Sequence, residues 1–144
     1  MLIRRSDNRP TFVARRPPSP VYCMSLVCVI VILLRCRGFA RTLRAVNRFA
    51  QHNGRSMTPD NTWIDATAHN IAVAGALFPG HARCLEQSLA LFICLKRHGA
   101  PVVLRFGVQP YRFRAHAWVE CEGVPVNELG ETIRGLACLP EIPL

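Results

Sequence analysis

A chain of 144 residues, half of them hydrophobic, has room for one modest domain with a real core and not for two. Eighteen Lys and Arg against nine Asp and Glu leave a formal charge of +9, which suits an acidic partner, an anionic membrane surface or nucleic acid. Nucleic acid fits worst, because the arginines crowd into the first third with little aromatic interleaving and no recognised binding motif.

Residues 1–20 are rich in Arg and Pro and read as a disordered basic tail, with Met24 offering a second initiator. Residues 21–56 form an apolar-basic helical segment. Its apolar run, Val21 to Leu34, is fourteen residues long, against roughly 20 needed to cross a bilayer. No A-x-A-type cleavage site follows it, so a signal peptide is disfavoured. The run predicts a buried or partner-facing helix that continues as a basic amphipathic one, with Phe39, Leu43, Val46 and Phe49 at helical spacing. Membrane-surface association is the second reading.

Gln51 to Ser56 breaks the pattern, and residues 57–144 read as the main domain. Thr58-Pro59-Asp60 looks like an N-cap with proline at the first helical position. The helix it starts would turn Ile64, Ala68, Ile71, Gly75 and Phe78 to one side and end at Pro79-Gly80. A second helix, Cys84 to His98, would point Leu85, Leu89, Phe92 and Leu95 inward and stop at Gly99. Three extended segments follow, Val102 to Val108, Arg114 to Cys121 and Val124 to Asn127, with a tight turn at Glu122-Gly123. Leu129 to Leu144 carries little signal. Helices followed by a small antiparallel sheet make an α+β domain.

Seven cysteines at irregular spacing, with no C-x-x-C, make neither a disulfide framework nor a zinc site. The cytoplasm is therefore the expected compartment. Cys23 and Cys28 sit among Val, Leu and Ile as small hydrophobes, and Cys94, Cys121 and Cys138 read as packing. Cys84 differs, because it opens a helix. Free amides and the macrodipole there favour a thiolate, and the same amides can hold an oxyanion. His116, inside a strand, is placed to take the thiol proton and return it to a leaving group. Asn127 and Glu128, on the next strand, are both candidates to orient the imidazole. His52, His69, His81 and His98 read as surface or loop residues. Neither G-x-x-x-x-G-K-[ST] nor G-x-G-x-x-G occurs, so no directly bound nucleotide cofactor is expected.

The order cysteine-helix-strand-histidine-strand is that of papain-like and transglutaminase-like cysteine protease cores. From Phe78 to Glu128 the chain carries Pro79-Gly80, Arg83-Cys84-Leu85, Ser88-Leu89-Ala90-Leu91, Arg97-His98-Gly99, Phe106-Gly107-Val108, Ala115-His116-Ala117-Trp118-Val119-Glu120, Gly123 and Val126-Asn127-Glu128. This set resembles the transglutaminase-like leader peptidases of lasso peptide biosynthesis, the B proteins, in their stand-alone C-terminal-domain form. The resemblance implies a cysteine protease that frees a ribosomally made precursor from its leader, after which a macrolactam synthetase closes the ring. It puts the nucleophile on Cys84 and the base on His116. The family's aspartate falls on Glu128, one methylene longer, with Asn127 as the neighbouring alternative. The first fifty residues are too short and too apolar for a fused precursor-recognition domain, so a separate leader-recognition protein is expected. ATP dependence would act through the synthetase. Two other readings stand beside this one: a transglutaminase-like acyl transferase, and a non-catalytic membrane-surface or partner-binding protein in which Cys84 packs.

Overall fold

The computed structural model describes residues 16–51, 59–80, 82–111 and 113–141. Residues 1–15 of the expected tail, most of the Gln51–Ser56 break, Thr58, His52 and His81 lie outside them.

Helix α1 spans Pro20–Arg37. The Ser19 hydroxyl accepts from the Tyr22 amide and Pro20 opens the first turn, the usual chemistry of a helix start. Cys23, Leu26, Val27, Ile30 and Val31 form its buried stripe. The expected continuous helix is instead two. Gly38 adopts φ +75° and donates back to the Leu34 carbonyl, which stops α1 before α2 begins at Phe39–Ala50. On α2, Thr42, Leu43, Val46 and Ala50 point inward, while Phe39 and Phe49 are exposed. Residue 39 is on the side of the buried stripe but is the first residue of the helix, and residue 49 flanks the stripe. Phe39 meets Phe106 edge-on and Phe49 lies under the Arg97 guanidinium.

Helix α3 covers Asn61–Leu77 and is capped by Asp60, so it begins later than a Thr58 cap would have it. Pro59 precedes the cap instead of occupying the first turn. Asp60 is extended, its carbonyl accepts from the Trp63 and Ile64 amides, and its carboxylate accepts from the Thr62 hydroxyl. Ile64, Ile71 and Gly75 are buried as expected and Ala68 is half-buried, with Trp63, Thr67 and Ala74 beside them.

Helix α4, Cys84–Arg97, is the axis of the molecule. The expected stripe is widened to a full circumference: every residue from Ser88 to Leu95 is buried. The cause is position, since α1, α2 and α3 pack against α4, as do two strands of the sheet. A helix apolar all round belongs inside.

Strand β1, Val102–Gln109, pairs antiparallel with β2, Arg114–Cys121, and Gly107 stands opposite His116. Glu122 and Gly123 both take positive φ, +50° and +80°, as a type I′ hairpin turn requires. Strand β3 is only Val124–Pro125, shorter than the expected run to Asn127. Proline has no amide to donate, and beyond it the Asn127 side chain, not its backbone, takes the Val119 amide. A short helix α5, Gly130–Ile133, leads to β4, Ala137–Cys138, which pairs with β1 and completes the order β3-β2-β1-β4. β4 had no sequence signal.

One hydrophobic cluster runs through α1, α2, α3, α4 and the inner face of β1 and β2. Leu89 is fully buried at its centre, whereas Ile32 is 59% exposed. Leu89→Ala should therefore lower the unfolding free energy by about 2–5 kcal/mol in urea titrations, and Ile32→Ala should change it by no more than about 0.5 kcal/mol.

Candidate active site

Cys84 is the first residue of α4, after an extended Arg83 whose side chain makes no capping bond. The first-turn amides of an α-helix have no acceptor within it, and here they are those of Cys84, Leu85 and Glu86. Their loop is held from behind. The Ala82 amide donates to the Gly75 carbonyl of α3, and Gln87 Nε2 donates to the Ala82 carbonyl. A Cβ on Gly75 would fall 2.4 Å from the Gln87 side chain, so glycine there lets Gln87 cross α3. The Glu86 carboxylate stands in the same first turn, where the macrodipole favours a negative charge. Its Oε2 is buried without a hydrogen-bond partner among the described residues.

Alternation along β2 sends Ala117 and Val119 into the core under α4 and His116, Trp118 and Glu120 to the other face. Trp118 is fully buried, and its indole N–H donates to Glu120 Oε1 at 2.9 Å. Glu120 also accepts from Arg105 Nε at 3.1 Å, and Arg105 pairs with Glu141. The Glu120 carboxylate raises the Arg105 pKa, chiefly through its hydrogen bond. The His116 ring lies nearly parallel to Trp118, with centroids 6.4 Å apart. Gly107, across the hairpin, makes room for that indole: a Cβ there would be 3.0 Å from both the Trp118 ring and the Leu136 Cβ.

His116 Nε2 and Glu128 Oε2 are 2.5 Å apart, and each side chain is 21% exposed. Asn127 faces elsewhere. Its Oδ1 accepts from the Val119 amide and its Nδ2 donates to Ser88 Oγ, which in turn donates to the Ala117 carbonyl. Glu128 is thus the residue in contact with the imidazole, while Asn127 ties α4 to β2. Ser88 lies one helical turn beyond Cys84 on the same side of α4. Its bond to Ala117 sets that side against β2 next to His116. The Cys84 thiol is half-buried and has no hydrogen bond among the described residues. With Nε2 taken by Glu128, Nδ1 is the ring nitrogen that has no hydrogen-bond partner among the described residues. Beside the pair, a 320 Å³ hollow is lined by Ala68, Ile71, Ala72, Gln87, Val126 and Glu128, among others. It lies between α3 and the Glu128 segment, with Gln87 the one residue of α4 in its lining.

All seven thiols are free. Burial pushes Cys94 up to about 12 and also raises Cys23 and Cys121. Cys23 and Cys94 pack as expected and Cys28 and Cys121 are half-buried, but Cys138 is exposed on the edge strand β4. His69 is exposed. His98 is not a surface residue: its ring packs on Trp63 at 4.5 Å and a ring nitrogen contacts the Cys94 carbonyl at 2.8 Å. Ser88, Gln87, Gly75 and Gly107 were not foreseen as site supports. The readable signal was a lone serine within an apolar helix.

Helices packed on an antiparallel sheet, with a helix-opening cysteine and a strand-borne histidine, define the α+β class to which papain-like and transglutaminase-like proteins belong. The family model described as the transglutaminase-like superfamily matches residues 30–138, and the chain belongs to that superfamily. Among the curated proteins and the solved structures, nothing matches the chain.

Asn127→Ala removes a half-buried strut and strands two partners, the buried Val119 amide and Ser88 hydroxyl, so it should cost about 1–3 kcal/mol in urea unfolding. The raised thiols set a pH dependence. Unfolding lets Cys94 and Cys23 ionise near their ordinary value of 9, whereas folding holds their protons to higher pH. Their contribution to stability is whole below about pH 8.5 and is lost as pH rises toward the folded values. Urea midpoints should fall between pH 8 and pH 10.5, and a Cys94→Ala variant should show a shallower decline.

Proposed function

We propose that this chain is a cysteine peptidase that removes the leader from a ribosomally synthesised lasso precursor peptide. The observation that carries the chemistry is the bonded His116–Glu128 pair, with His116 on the strand to which Ser88, one turn after Cys84, is hydrogen-bonded. The superfamily includes cysteine peptidases and acyltransferases, and both begin with the same half-reaction. Cys84 sulfur attacks the scissile carbonyl while its proton passes to His116 Nδ1. The oxyanion that forms is held by the amides opening α4. As the tetrahedral adduct collapses, the C–N bond breaks, His116 gives its proton to the leaving amine, and a thioester remains on Cys84. Water then attacks the thioester with His116 again as base, which releases the leader's carboxylate and restores the thiol. Glu128 holds the ring and offsets the imidazolium charge.

Support for the leader-peptidase form is the paired pattern Arg83-Cys84-Leu85 and Ala115-His116-Ala117-Trp118-Val119-Glu120, in order and at the spacing of the lasso B proteins. The reading brings with it a separate leader-recognition protein and a macrolactam synthetase, through which ATP would act.

The test is mass spectrometry of a lasso precursor incubated with this chain, a leader-recognition protein, the synthetase and ATP. One cleavage at the leader–core junction is expected. Cys84→Ala should abolish it, His116→Ala should slow it by about 10²–10⁴-fold, and Glu128→Asp should keep more activity than Glu128→Ala. An amine adduct at the cleaved carbonyl would move the assignment to acyl transfer. An intact precursor together with an unreactive Cys84 would end the enzymatic reading.

A further inference from the structure

We infer that the outer face of the α1–α2 pair docks on an anionic lipid bilayer, lying on its surface rather than crossing it. This rests on residues remote in sequence from Cys84 and His116, and it stands apart from the peptidase reading.

By length and composition α1 could span a membrane, yet it is fixed to the core by Cys23, Leu26, Val27, Ile30 and Val31. Extraction into a bilayer would strip that stripe from α3 and α4. The opposite face is bare. Val21, Val29 and Ile32 are 76%, 51% and 59% exposed, and only 28% of the helix is buried. Between α1 and α2 runs an apolar groove of 430 Å³, lined by Tyr22, Leu26, Val29, Leu33, Val46 and Phe49, among others.

The charge beside this groove has one sign. From Pro20 to Ala50 there is no Asp or Glu, while Arg35, Arg37, Arg41, Arg44 and Arg48 all fall there. Four of them, Arg37, Arg41, Arg44 and Arg48, line a second hollow that shares Ala45 and Phe49 with the groove, so cationic and apolar surfaces are contiguous. None of the five is ion-paired among the described residues. Exposed Tyr22, Phe39 and Phe49 add rings of the kind that settle at the headgroup boundary.

A protein partner would need directional groups to set its register. The outer face of α1 offers little beyond two hydroxyls, those of Tyr22 and Ser25, and the second is already bonded to the Val21 carbonyl. A bilayer asks for apolar area rimmed by cations and nothing more specific.

Cosedimentation of the full chain with vesicles of phosphatidylcholine alone, and with added phosphatidylglycerol, tests this. The chain should pellet with the anionic vesicles and much less with the neutral ones, and high salt should release it. Arg41→Gln, Arg44→Gln and Arg48→Gln together should weaken binding by about fivefold per arginine. Val29→Ser with Ile32→Ser should weaken it without moving the urea midpoint, because both positions are exposed. A chain that stays in the supernatant with anionic vesicles overturns the proposal. So does binding that ignores both lipid charge and the arginine substitutions, or a saturable acidic protein partner with no vesicle binding. Labelling of Cys84 by a thiol reagent, measured in the same samples, reports on the peptidase reading separately.

Discussion

The arrangement of the site depends on one buried hydroxyl. Thr42, Thr67 and Ser88 are buried polar residues, and the two threonines spend their hydroxyls on carbonyls of their own helices, those of Gly38 and Trp63. Ser88 does not. Its hydroxyl leaves α4, donates to Ala117 on β2 and accepts from Asn127, whose carbonyl oxygen closes on the Val119 amide. Three elements are tied at one point around the fully buried Ser88 hydroxyl, which both donates and accepts. Alanine at 88 would fill much of the same space and set no register. Register matters because a one-residue slip of β2 would carry His116 to the core face and Ala117 outward.

From that tie the chemistry follows by adjacency along the chain. Cys84 precedes Ser88 by one turn, His116 precedes Ala117, and Glu128 follows Asn127. Each residue of the candidate site is therefore a near neighbour of a residue in the tie, and inherits its position. The other face of β2 is braced independently. Trp118 fills the space left by Gly107, Glu120 takes the indole N–H, and Arg105 links Glu120 to Glu141. His116 thus has a rigid aromatic plane beside it and a carboxylate at Nε2, which limits the ring to few orientations.

The local features of the chain were legible because each has a short-range cause. Gly99 stops a helix and Glu122-Gly123 turns a hairpin, both from the chemistry of a few adjacent residues, whereas Ser19 and Pro20, read as the end of the tail, in fact start α1. The cysteine at the start of α4 and the histidine within β2 were readable for the same reason. What could not be read depends on contacts far apart in sequence. β4 is two residues long and exists because β1 leaves an edge beside it. The choice between Asn127 and Glu128 turns on which way each side chain points from a segment that abandons strand geometry after Pro125, and no periodicity encodes that. The exposure of Cys138 follows from the same edge strand.

The central position of α4 also explains why charge divides the molecule as it does. A helix buried on all sides can carry no charged side chain along its middle, and its charges, Glu86, Lys96 and Arg97, stand at the two ends. The elements around it must supply the solvent-facing charge, and they do so unequally. α1 and α2 hold five arginines and no acid, whereas Glu120, Glu122, Glu128, Glu131 and Glu141 all come from the sheet and its return segment. Interspersing both signs would be the simpler route to solubility. Segregation instead sets a cationic face on α1 and α2 and puts five of the chain's nine carboxylates, Glu128 among them, on the part of the chain that bears His116.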